Sequence, residues 1–183
     1  MKKLIIAITS VLILTGCGSD SNEEIKENIN FKLYSSNEIE IQIPIDWEII
    51  KKENFTSNIS KDTIVAFLSN EKDENFTSNI NITKLSNTEI TLENFSKASI
   101  ANAKKKLLEF KNISSDINSI NELEAISYVF SGKQKADQSI LDFKQTFIKK
   151  NTDIYIITYA YLPYEEIANV DEINTVVNSF IIK

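Results

Sequence analysis

The stretch "DIYIITYAYL" at residues 153–162 is apolar on both sides of a strand. At the two-residue period, Ile154, Ile156 and Ala160 fall on one face, and Tyr155, Ile157, Tyr159 and Tyr161 fall on the other. Such a strand has to be covered on both faces, which calls for a layered fold with helices on either side of a sheet. Tyr is favoured at interfaces. Where a covering helix leaves the row partly open, Tyr155, Tyr159 and Tyr161 are therefore the candidate contact surface.

The segments before it, "ELEAISYVF" and "SILDFKQTFIKK", also read as strands. Gly132 lies between the first two of the three, and residues 149–152 lie between the second and third. Connections this short predict an antiparallel meander. Two segments supply covers. Thr91 can cap a helix in which Leu92, Phe95, Ser99, Ala103, Leu107 and Phe110 recur at spacings of three and four, and "VDEINTVVNSFIIK" places Ile173, Val176, Val177 and Phe180 on one helical face.

Nearer the N-terminus, "EIEIQIPIDW" alternates Ile39, Ile41, Ile43 and Ile45 with polar residues and Pro44, the signature of a half-buried strand that ends or sits on an edge at the proline. Trp47 follows at once and is expected to anchor the core. Further strands are predicted over 63–68 and 79–85. The seven-residue "ENFTSNI" occurs at both 53–59 and 74–80, but its spacing does not continue as a repeat array.

The order of these elements, with "IQIPIDW" leading into Trp47, the helix opened by "TLENFSKAS", the meander ending in "YIITYAY" and the terminal "INTVVNSFIIK", resembles the PsbP/Mog1-like family. The resemblance implies an α+β domain: an antiparallel β-sheet of about six strands with helices on both faces, an α/β/α sandwich. It also implies an accessory or binding role. Metal sites described for plant members use histidine, and none is carried over.

The first residues have a separate logic. Lys2 and Lys3 precede an uncharged apolar run from Leu4 to Leu14, too short for the roughly 20 residues of a bilayer span. Leu14-Thr15-Gly16-Cys17 resembles the lipobox of bacterial lipoproteins. That resemblance implies cleavage before Cys17 and acylation of its thiol. One acyl chain gives only marginal membrane binding, at about 0.8 kcal/mol per buried CH₂, so two or three chains make a lasting anchor. The expected organisation is a signal peptide over 1–16, a lipidated Cys17 with a polar tether over 17–29, and one domain over 30–183. The expected location is the cell membrane or outer membrane, on the extracytoplasmic side.

Composition narrows the chemistry. All 20 basic residues are Lys, there is no His, and Cys17 is the single cysteine. The commonest general base and metal ligand is therefore missing, and lipidation removes the thiol. Without Lys2 and Lys3, 18 lysines face 26 acidic residues, a formal charge of −8 that disfavours nucleic acid. Ser69-Asn70-Glu71-Lys72 matches Ser-x-x-Lys but lacks its Ser-Asp-Asn and Lys-Thr-Gly companions. The acid pairs Asp73/Glu74, Glu165/Glu166 and Asp171/Glu172 read as solvated faces. No catalytic residue, cofactor or metal ligand is therefore assigned. The chain reads as a membrane-anchored, non-catalytic module for a protein or envelope-component partner. The alternative is a carboxylate-based enzyme or small-ligand carrier.

Overall fold

A computed structural model describes residues 31–55, 59–72, 76–163 and 166–183, with backbone only for Lys72 and residues 166–170. The elements in chain order are β1 (Phe31–Ser35), β2 (Ile39–Pro44), β3 (Glu48–Lys51), β4 (Thr63–Lys72), β5 (Thr77–Leu85), α1 (Leu92–Lys106), β6 (Leu108–Ile120), β7 (Leu123–Lys133), β8 (Leu141–Lys150), β9 (Asp153–Tyr161), α2 (Glu166–Asn178) and β10 (Ile181–Ile182). A seven-stranded sheet runs β3-β4-β5-β9-β8-β7-β6, and a small sheet runs β1-β2-β10. Every pairing is antiparallel.

β9 lies inside the large sheet, hydrogen-bonded to β5 and β8, and both of its faces are buried. On one face Ile154 and Ile156 pack with Leu92 and Phe95 of α1 and with Phe147, while Ala160 joins Ala103, Phe130 and Phe143. On the other, Tyr155, Ile157, Tyr159 and Tyr161 meet Ile39, Ile41 and Ile43 of β2, Trp47, and Ile173, Val176, Val177 and Phe180. The predicted sandwich is present, with one refinement. The second cover is α2 together with the small sheet, because the isoleucine row of β2 lies across the large sheet as part of a separate layer.

Thr91 caps α1 as predicted, its hydroxyl accepting from the Asn94 amide at 3.3 Å. The helix stops earlier than its apolar spacing suggested. Leu107 is already extended, and Glu109 has a φ of 54°. Phe110 nevertheless reaches the same cluster from β6, stacking on Phe130 at 5.6 Å. The apolar rhythm thus crosses a change of secondary structure. β6 itself is the long outer edge of the large sheet, exposed along most of its length, with ladder irregularities between Leu108 and Ser114. Its connection to β7 is the pair Asn121–Glu122, with φ values of 47° and 66°, as a tight type I′ hairpin demands.

Gly132 corrects another expectation. It is not in a connection but inside β7, opposite Leu141. A Cβ there would lie 2.9 Å from Leu107 Cβ and 3.1 Å from the Leu108 carbonyl oxygen. The glycine lets the junction of α1 and β6 approach the sheet. Gly132→Val should cost about 1–3 kcal/mol through overpacking, seen as a lower urea midpoint with an unchanged slope. A wild-type midpoint would show that the junction gives way freely.

Candidate functional site

Strand register builds one continuous polar region on the α2 side of the large sheet. Ser114, Val129, Lys144 and Tyr159 form one cross-strand row, and Asp116, Ser127, Thr146 and Ile157 form the next. Ser131, Asp142 and Tyr161 continue the pattern at one end. Paired residues share a face, and Tyr159 and Ile157 place this one with α2 and the small sheet. Toward β9 the rows run into the core. Toward β6 they are polar, with Ser114, Asp116 and Asn118 exposed.

Lys144 stands in the middle of this region, half-buried. Its Nζ donates to Asn174 Oδ1 of α2 at 2.6 Å. Burial pushes its pKa below the ordinary lysine value, and the charge of Asp116 opposes that shift. Among the described residues no carboxylate pairs with it, in contrast to Lys84, which lies 2.7 Å from Glu38 and 3.3 Å from Asp153, or Lys133, which lies 2.8 Å from Glu109. Lys32 and Lys150 each reach two backbone carbonyls, and Lys149 reaches that of Ile90. The hydroxyls of Ser127 and Thr146 bond each other at 2.9 Å. The site can bind through hydrogen bonds and charge.

The residues singled out in the sequence fall elsewhere. Tyr155, Tyr159 and Tyr161 are 3%, 2% and 3% exposed. The row is core, closed by β2, Trp47 and the α2 segment, and Tyr159 stacks on Tyr161 at 4.7 Å. It offers no contact surface. Leu14, Thr15, Gly16 and Cys17 lie outside the described residues, as do Asp73, Glu74 and Glu165. Asp171 is exposed and Glu172 half-buried on α2. Ser69 is buried, and its hydroxyl accepts from the Glu71 amide at 3.1 Å, a local turn contact. Among the described residues no group of three His, Cys, Asp or Glu side chains is placed to hold a metal. Lys144, Asp116 and Asn174 went unread in the sequence. The available signal was parity: Lys144 shares its strand face with buried Thr146 and Ile148.

No family model matches the chain, and no curated protein sequence matches it. Solved structures do match its fold. Cyanobacterial PsbP (CyanoP) from Synechocystis sp. PCC 6803 is 11% identical with a TM-score of 0.63, over 93% of this chain and 99% of that one. LpqN, involved in cell envelope biogenesis of Mycobacterium tuberculosis, is 14% identical with a TM-score of 0.61, over 86% and 92%. The Ran-binding protein Mog1p of Saccharomyces cerevisiae is 10% identical with a TM-score of 0.60, over 85% and 96%. At these identities the likeness shows the fold, a PsbP/Mog1-like α+β sandwich.

Proposed function

We propose that this chain is a lipid-anchored accessory module of a bacterial cell envelope, binding a protein or envelope component without turning it over. The polar region around Lys144 carries the binding half of this reading: it presents donors and acceptors on the large sheet. Two structures of the same fold support the class of role by analogy, one Ran-binding and one involved in cell envelope biogenesis. The anchoring half rests on Leu14-Thr15-Gly16-Cys17 directly after the apolar run. In this reading residues 1–16 are removed, acylated Cys17 holds the membrane, and the polar segment to residue 29 tethers the domain. Tethering raises the effective concentration of a binding face near envelope partners.

The anchor is tested in cells fed an alkyne fatty acid. Wild type should take up the label and fractionate with membranes. Cys17→Ala should lose the label and either leave the membrane or persist as an uncleaved precursor. Equal labelling of the two proteins would end the lipoprotein reading.

A further inference from the structure

Deepening the accessory reading and resting on it, we infer that Lys144 and Asn174 form a receiving point for a carboxylate side chain of a partner protein. Lys144 Nζ carries three hydrogens and, among the described residues, makes one hydrogen bond, to Asn174 Oδ1 at 2.6 Å. An ammonium only donates, so this contact also fixes the amide: Asn174 turns its oxygen to Lys144 and leaves its Nδ2 hydrogens for something else. The Asn174 side chain makes no other hydrogen bond among the described residues. Two ammonium hydrogens and two amide hydrogens are therefore left over where α2 meets β8. In the neighbouring row the hydroxyls of Ser127 and Thr146 satisfy each other.

A half-buried cluster of spare donors, one of them charged, calls for an anionic acceptor with two oxygens. A carboxylate bridging Lys144 Nζ and Asn174 Nδ2 meets that demand with two hydrogen bonds, at least one of them charge-assisted. Part of the desolvation of Lys144 is already in place in the free protein, as its lowered pKa reflects, so less remains to be lost on binding. Two carboxylates share this face and oppose such a ligand: Asp142, two residues before Lys144 on β8, and Asp116 of β6, exposed and acting on Lys144 without forming an ion pair among the described residues. This sets a test with opposite signs. A partner that needs Lys144 alone should gain when Asp116 is neutralised, whereas a partner that uses both charges should lose.

The probes are two capped tripeptides, acetyl-Ser-Glu-Ser-amide and acetyl-Ser-Gln-Ser-amide. They are titrated into the ¹⁵N-labelled full chain in uncharged detergent micelles, with the Asn174 side-chain amide and the Lys144 backbone amide as reporters. The Glu peptide should give saturable shifts at both, and the Gln peptide should bind at least tenfold more weakly. Lys144→Met should abolish the difference, Asn174→Asp should abolish binding with Lys144 retained, and Asp116→Asn should tighten it. Each variant's dispersed spectrum reports that it is folded. Equal binding of the two peptides, retention in Lys144→Met, or weakening in Asp116→Asn would overturn the proposal. So would tighter binding of inorganic phosphate or of phosphatidylglycerol vesicles at the same resonances, since each would assign the donors to another anion. The lipid anchor stands or falls on Cys17 labelling, a readout that these titrations do not touch.

Discussion

Replacing Trp47 with alanine is expected to destabilise the protein by about 3–5 kcal/mol, the range for removing a large buried aromatic side chain, and a large share of the 5–15 kcal/mol typical of a domain. Trp47 is 5% exposed and sits where the small sheet, the turn after β2 and the large sheet meet. Its ring lies 6.0 Å from that of Tyr159. Its backbone is held from both sides: the amide donates to Pro44 at 3.1 Å, and the carbonyl accepts from Lys32 Nζ at 2.6 Å. With the backbone pinned, the site collapses poorly and the cavity term stays large. Urea unfolding followed by circular dichroism measures the loss. A cost below 1 kcal/mol, or a solvent-exposed Trp fluorescence in the folded wild type, would contradict this placement.

Tyr159→Ala should cost a similar amount, about 3–5 kcal/mol. Tyr159 is among the largest fully buried side chains and lies in a central strand, between Ile80 of β5 and Lys144 of β8. Its ring stacks on Tyr161 and faces Trp47. Because Trp47 and Tyr159 border the same space, the double variant should lose less than the two single losses added together, the non-additivity expected of a shared cavity. The experiment also separates a core tyrosine from an interface tyrosine. A variant that unfolds early supports the first. One that folds like wild type and merely loses a partner would restore the contact surface expected from sequence.

How far the sequence could be read depended on whether a pattern was local. The doubly apolar run of β9 required a layer on each face, and both are there. Thr91 marked the start of α1 because a cap is a matter of three or four adjacent residues. The end of α1 was hidden because Leu107 and Phe110 continue the helical spacing while serving the same core from a turn and a strand. β6 escaped because an outer strand with both faces in solvent has no hydrophobic period to detect. Gly132 looked like punctuation, yet its role is close approach, visible only once Leu107 is seen beside it. The candidate site was harder still. Lys144 can be placed on an inward-facing position by counting along β8, but its acceptor lies thirty residues away on α2, and no spacing rule connects them.

The pairing of β10 with β2 bears on when the molecule can finish folding. Ile182 lies opposite Ile39, and Ile181 opposite Glu40. Lys183 closes the same corner, its amide donating to the Glu38 carbonyl at 2.9 Å and its Nζ reaching Glu40 at 3.0 Å. The layer begun by β1 and β2 is thus completed only by β10. At roughly 5–20 residues per second of synthesis, β10 follows β2 by on the order of ten seconds. Closing so long a loop is also a slow class of folding event. Throughout that interval the isoleucine row of β2 lacks its final neighbours. Until β10 has been made and has paired, the native packing of β2 cannot be completed.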